Sequence, residues 1–303
     1  MNFENSWDDQ TRAASYARLE FPNTYYLAYR DLPEILGRHV TGTRAVDFGC
    51  GAGRSTRFLK RLGFEAVGVD IAADMLDQAR ALDPAGDYRL VRDCDYGTLG
   101  DGRFDLVQSI FTFDNIPGAE HRTDVAWALA ALLAPAGRLV CLDSRPEMYT
   151  REWASFTTKD FPDNRTAVSG GVVRCVMKDV ADKRPVEDTF WTEDDYRETF
   201  RRAGLAVEAV YRPLGRPDEP YEWIAETECA PWVIFVLNIE RPTGSLVRGS
   251  GFSEARRESH IRTQTRRMKS YGSRTCGLES PSNLTPSKAL LGPPGDCSAG
   301  QPR

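Results

Sequence analysis

Ala45-Val46-Asp47-Phe48-Gly49-Cys50-Gly51-Ala52-Gly53-Arg54-Ser55-Thr56 is the stretch from which the fold can be read. A short apolar run feeds three alternate glycines and then a segment of helical period. Glycine is required where a chain turns sharply and where a ligand must approach the backbone without meeting a β-carbon. The spacing restricts that ligand, because a dinucleotide fingerprint puts its third glycine three residues after the second, beside a helix that holds pyrophosphate. Arg54 stands at that position here. The acidic Asp47 inside the strand suits a cationic ligand with no phosphate.

Outward from this turn, strand-length apolar runs alternate with helical segments from about Thr43 to Leu142, the pattern of repeated βα units around a parallel sheet. Strands are expected near Arg44–Phe48, Ala66–Val69, Tyr88–Val91, Leu106–Ser109 and Arg138–Asp143, with helices over Arg54–Leu62, Ala73–Ala81 and Arg122–Leu133. Ala206–Tyr211 and Trp232–Leu237 bring the total to seven, so the expected fold is α/β, a doubly wound Rossmann-like sheet with mostly parallel strands. Asp8–Val40 reads as helical with a break at Phe21-Pro22-Asn23, which makes residues 1–40 an N-terminal helical cap. Residues 149–191 differ in character and contain the alternating run Gly171–Met177, expected as an inserted β-hairpin over the sheet's edge on the substrate side. Thr192 followed by Glu193-Asp194-Asp195 has the composition of a helix start, with a capping hydroxyl and acids in the first turn. Past Pro242 periodicity is lost, and residues 241–303 are expected to be a disordered basic tail.

Charge divides at the same place. After Glu240 there are eleven Lys and Arg against four Asp and Glu, a net +7, so residues 1–240 carry −12 of the overall −5. An acidic folded part offers no footprint for a nucleic-acid backbone. Seven cysteines, odd in number, scattered and never in a Cys-x-x-Cys pair, indicate reduced thiols and no zinc site. The acidic start of the chain lacks a secretory pattern. The longest apolar stretch, Val125–Leu142, is interrupted by Pro135, Gly137 and Arg138, so no membrane span is expected. Together these features lead to the expectation of a cytoplasmic protein with a small-molecule partner.

The second strand ends Val67-Gly68-Val69-Asp70, about twenty residues after the glycines. A carboxylate there can accept both ribose hydroxyl hydrogens of an adenosine, although alone it would serve NAD equally or cap a helix from Ala72. The acidic strand residue, the Gly49-x-Gly51-x-Gly53 turn and this second acid together resemble the first motifs of the class I S-adenosylmethionine-dependent methyltransferases of small-molecule type. The resemblance covers roughly residues 1–240 and includes a turn at Leu133–Val140, with Ala136 where glycine is commoner, and a last strand that would run antiparallel. It implies S-adenosyl-L-methionine as cofactor. Asp47, Gly49, Cys50, Gly51 and Gly53 would hold its methionine part, and Asp70, with Ile71 beside it, the ribose. Asp93 would bind the adenine amino group and the backbone at Cys94 a ring nitrogen, with Asp95 as the competing acid. Ser109, Ile110 and Phe111 would flank the sulfonium, while Phe113 could equally be core packing.

A methyl carbon on positive sulfur needs an in-line nucleophile held close to it, so positioning supplies most of the acceleration. A hydroxyl acceptor also gains from a base. Asp114, His121, Glu222 and Glu226 are the candidates, with Asp114 and His121 foremost, although Asp114 could cap its loop and His121 could belong to an exposed helix start. Tyr16, Tyr25, Tyr26, Trp153, Phe156, Trp191, Tyr221 and Trp223 would suit a flat or apolar acceptor or would pack helices onto the sheet. An NAD-dependent oxidoreductase on a similar sheet and a non-catalytic cofactor-binding protein are the competing readings.

Overall fold

The computed structural model describes Trp7 and residues 9–240. The expected tail, 241–303, lies outside the described residues. Three helices come first, α1 (Gln10–Ala17), α2 (Thr24–Arg30) and α3 (Leu32–His39), so the cap has a second break, at Asp31, beyond the expected one. Then follow β1 (Arg44–Phe48), α4 (Arg54–Arg61), β2 (Glu65–Asp70), α5 (Ala73–Leu82), β3 (Asp87–Leu90), β4 (Phe104–Ile110), α6 (Ala119–Leu132) and β5 (Leu133–Ser144). The short strands β6 (Phe156–Thr157), β7 (Val172–Met177) and β8 (Val186–Thr189) precede α7 (Glu193–Arg202), β9 (Leu205–Tyr211) and β10 (Trp232–Ile239).

Seven strands form one sheet in the order β3-β2-β1-β4-β5-β10-β9. The pairs among β1 to β5 are parallel, and β10 runs antiparallel to both of its neighbours. The chain leaves β1 toward β2 on one side and later returns to pair β4 on the other. Beyond the carboxyl ends of β1 and β4 lies the crevice that doubly wound sheets use for ligands.

The sheet is buried on both faces, and period two explains how. Ala45, Leu106, Val140, Leu142, Ile234 and Val236 point into one core with α2, α3 and α4. Val46, Val107, Leu139, Cys141, Val233 and Phe235 point into the other with α6 and α7. Successive side chains of one strand thus serve opposite cores, as the pleat requires. Helix α7 begins with a capping box, in which Thr192 and Asp195 satisfy each other's backbone N–H groups.

Two sequence expectations change. The fifth strand starts at Leu133, so the expected turn at Leu133–Val140 is already strand, with an irregular register opposite Phe104–Leu106. The insert is a three-stranded antiparallel sheet, β6-β7-β8, rather than a hairpin. It does not cover a sheet edge, since β3 and β9 are the edge strands. Val173, Cys175, Met177 and Val186 join the core that holds Leu19, Tyr25, Met148 and Trp232, beside the carboxyl end of β5. The insert therefore packs against the core beside the carboxyl end of β5.

Candidate active site

A cleft opens at the carboxyl ends of β1, β2 and β4, with about 1100 Å³ of space counting its open mouth. Gly49, Cys50 and Gly51 form its floor, Asp70, Ile71 and Asp93 one side, and Ile110, Phe111 and Thr112 the other. Gly49 and Gly51 have φ of 69° and 52°, in the left-handed region that favours glycine. A β-carbon on Gly49 would collide with the Thr112 side chain, so the turn and the end of β4 meet too closely for any other residue.

The backbone of this turn is already engaged. The N–H groups of Gly49 and Cys50 both donate to Val69 O, at 2.9 and 3.0 Å, and Gly53 N–H donates to Cys50 O at 2.9 Å. Gly51 N–H donates to Asp70 Oδ2 at 2.7 Å, and Ala72 N–H to Asp70 Oδ1 at 2.8 Å. A pyrophosphate cradle needs several free N–H groups converging on one point. Three of these four hold the turn to β2 and the fourth closes the turn on itself, which leaves a glycine floor, an acid at the rim and largely apolar walls. Such a surface fits an amino-acid and nucleoside ligand without phosphates. Both Asp70 oxygens thus accept a short backbone N–H bond at the rim of the cleft.

Asp47 lies beneath the turn and does not line the cleft. Its carboxylate is fully buried, with Oδ2 accepting from Ser55 Oγ and Thr56 Oγ1, both at 2.6 Å, and Oδ1 from Gln108 Nε2 at 3.3 Å. Burial pushes its pKa up to about 6 from the usual 3.8, against the pull of these three donors. Asp47 thus fastens the first turn of α4 to β1 and β4, and the expected direct contact with the ligand is replaced by support from below. Gly53 is also off the cleft: its β-carbon would meet the Tyr88 phenol at 2.7 Å, so packing explains this glycine.

At the far side His121 Nε2 lies 3.1 Å from Asp93 Oδ2, and both line the cleft beyond β3. The hydrogen bond to Asp93 raises the His121 pKa and outweighs the opposing effect of its partial burial. Cys94, at φ 55°, is not part of the lining, and its Sγ points to Asp93 Oδ1 at 3.6 Å. Phe111, leaving β4, also has positive φ, 56°, and its ring packs against Trp232 at 4.7 Å. Such strain in a non-glycine residue concentrates at ligand-binding positions.

Residues 46–141 match the family described as methyltransferase domain. Over that segment the chain is similar to a methyltransferase domain, and the sheet order above is compatible with one. Among curated relatives, it is 31% identical over 104 residues to a ubiquinone biosynthesis O-methyltransferase of Xanthomonas euvesicatoria, covering 33% of this chain and 42% of that one. A malonyl-[acyl-carrier protein] O-methyltransferase of Enterobacter lignolyticus is 30% identical over 120 residues, covering 38% and 46%. The chain thus spans somewhat under half the length of these relatives. Among solved structures, the CcbJ methyltransferase of Streptomyces caelestis superposes with a TM-score of 0.57 at 16% identity, over 79% of this chain and all of that one. An S-adenosylmethionine-dependent methyltransferase of Clostridium acetobutylicum gives 0.51 at 10%, over 78% and 100%. At these identities the structures speak to fold alone.

Within this methyltransferase fold several expected site residues lie elsewhere. Ser109 is fully buried and off the cleft, while its neighbours Ile110 and Phe111 line it. Asp114 is turned away into a buried network, where Oδ2 accepts from Ser144 Oγ and Oδ1 from Asn115 Nδ2, both at 2.8 Å. Burial raises its pKa, and that of the adjacent Asp143 is raised well above the usual range. Hence Asp114 is not placed as a base at the cleft. Glu226 is likewise fully buried and clamps Thr24 Oγ1 at 2.6 Å and Ala154 N–H at 2.7 Å, while Glu222 is exposed.

Of the aromatic candidates only Tyr16 reaches the cleft; Trp153, Phe156 and Trp191 are core. Sequence reasoning missed Trp7, whose Nε1–H donates to Asn115 Oδ1 at 3.1 Å across the cleft, and Tyr29, Met75 and Thr112 in its walls. Arg54 is there as well, although its position had been read only as an obstacle to phosphate. Trp7 and Asn115 are 108 residues apart, and no local signal connects them.

Proposed function

We propose that this chain transfers a methyl group from S-adenosylmethionine to an oxygen atom of a small molecule, with residues 1–240 as the catalytic unit. The engaged N–H groups of the glycine turn carry this reading, because they favour an amino-acid nucleoside over a dinucleotide. They count in the same way against the nicotinamide alternative. The names of the curated relatives favour oxygen over nitrogen as the acceptor atom.

When bound, the cofactor supplies an electrophilic methyl carbon on a positive sulfur. The chain's own part is placement. Gly49, Cys50 and Gly51 would bear the amino-acid end, Asp70 would accept from the ribose hydroxyls, and Ile71 and Ile116 would flank the adenine beside Asp93. Ile110 and Phe111 would face the sulfur and exclude water from it, which strengthens electrostatic interactions there. Neither Asp114 nor Glu226 is placed to take a proton, and His121 is paired at the adenine side. The acceptor would therefore arrive activated by its own acidity or by proximity. Incubation with methyl-tritiated S-adenosylmethionine and a panel of phenols, carboxylic acids and amines tests the proposal. Label on phenols or acids is the expected result, whereas binding of S-adenosylhomocysteine without transfer to any class would favour the non-catalytic reading.

A further inference from the structure

Among the described residues, one group of Asp, Cys and His side chains has the spacing of metal ligands. Asp93 and Cys94 lie between β3 and β4, and His121 lies in the first turn of α6. One donor atom from each, a carboxylate oxygen, a sulfur and an imidazole nitrogen, lies within 4.8 Å of the other two. His121 Nε2 is 3.1 Å from Asp93 Oδ2, and Cys94 Sγ is 3.6 Å from Asp93 Oδ1. Donors about 2.0–2.3 Å from a tetrahedral zinc ion stand roughly 3–4 Å from one another, so both spacings suit such an ion.

The main chain holds this set in place. Asp95 N–H donates to Arg92 O at 3.0 Å, closing a tight turn with Asp93 and Cys94 at its corners. Cys94 N–H donates to the buried Tyr96 Oη at 3.3 Å. The side chains of Asp93 and His121 are 55% and 38% exposed, so a cation can reach them from solvent with water still bound to it. Asp124, one turn along α6 from His121, adds negative charge near both His121 and Cys94. An Asp–His pair alone needs no thiol. A thiolate beside an imidazole and a carboxylate favours zinc over magnesium or calcium, which take oxygen ligands. Three protein ligands also leave a fourth position open, unlike the closed four-ligand sets of structural zinc. Paired cysteines are the sequence mark of zinc, and this set escapes that rule because its third ligand comes from beyond β4.

We propose that Asp93, Cys94 and His121 bind a zinc ion, and that the bound ion closes the adenine end of the cleft. On binding, the Cys94 thiol gives its proton to solvent and the thiolate coordinates the ion, with no change of oxidation state. Asp93 and His121 line the cleft, so the ion competes with the adenine for the same space and the same carboxylate. The competition, though not the metal site, rests on the methyltransferase reading above.

Cobalt(II) stands in for zinc and reports a thiolate ligand by a charge-transfer absorption band. Titrating the metal-free full chain with cobalt(II) should give this band, saturating at one equivalent and bleached by zinc. Cys94→Ser should abolish it, and His121→Ala should weaken binding by more than about 10-fold, a loss typical even of residues one step removed from a metal. No band in wild type, or a band kept by Cys94→Ser, would overturn the site. Should Cys94→Ser not fold, iodoacetamide labelling of wild type carries the comparison. Zinc should protect Cys94 and leave Cys229, the other partly exposed cysteine among the described residues, open to the reagent. Equal labelling of Cys94 with and without zinc would overturn the site as well. Calorimetric titration with S-adenosylhomocysteine then tests the competition. With free zinc at about ten times its Kd, the nucleoside should bind about 10-fold more weakly to wild type, with no such effect on Cys94→Ser. An unchanged wild-type affinity would overturn the competition. Failure of metal-free wild type to bind the nucleoside would instead sink the methyltransferase reading and leave the cobalt result standing.

Discussion

The two halves of the cleft are built by different means. On the β1–β2 side the ligand surface comes from one short stretch of chain, in which a turn of left-handed glycines is tied to the end of the next strand through Val69 and Asp70. On the β4–β5 side the polar residues at the strand ends fold inward. Asp114, Asp143 and Ser144 are all buried, and the surface left facing the cleft includes Ile110, Phe111, Thr112, Asn115 and Ile116. The first half is specified by local backbone geometry, the second by tertiary packing.

This contrast is open to attack, beginning where the largest effect is expected. Gly49→Ala should lose cofactor binding and about 3 kcal/mol or more of stability, because it forces an alanine into positive φ against Thr112. Urea unfolding and titration with S-adenosylhomocysteine would measure both, and near wild-type values would show that the turn tolerates a β-carbon. Asp70→Ala should weaken the same ligand by about 100-fold, since it removes the proposed ribose acceptor and frees the Gly51 and Ala72 N–H groups. An effect smaller than that of His121→Ala would reverse the order of the two sites.

Support from beneath the turn has a pH signature. The Asp47 carboxyl has a pKa of about 6 in the folded chain against 3.8, so the folded state holds this proton more tightly than the unfolded one. Its contribution to stability is full below about pH 4 and is lost as pH rises through about 6, roughly 3 kcal/mol in all. Asp47→Asn should flatten that slope in urea midpoints taken from pH 4 to 7; an unchanged slope would place the titration elsewhere.

The β4–β5 half should respond least. With Asp114 facing Ser144 and Asn115, Asp114→Asn should leave the methyl-transfer rate within about threefold, whereas loss of a general base typically costs about 100-fold or more. His121→Ala should weaken cofactor binding by less than about tenfold, as expected of a partly exposed pair with Asp93. Binding and rate assays on the two variants would separate these cases.

What the sequence revealed follows the same division. The glycine turn, the acid at Asp70 and the alternation of strand and helix were legible because each is a local pattern. The buried role of Asp47 was half visible. Ser55 and Thr56, the two hydroxyls that bind it, stand in the same twelve-residue stretch, but Gln108 comes from 61 residues away. The inward turn of Asp114 depends on Ser144, thirty residues on, and on the burial of Asp143, neither of which has a sequence period. The insert's alternation gave β7 correctly, yet the insert's place in the fold is set by contacts with Tyr25 and Trp232 from opposite ends of the described chain.

The most direct test is a crystal structure with S-adenosylhomocysteine bound. The account predicts the ribose hydroxyls on Asp70, the amino-acid end on the Gly49–Gly51 turn and the sulfur beside Ile110 and Phe111. A nucleoside seated outside this cleft, or held there with no contact to Asp70, would contradict it.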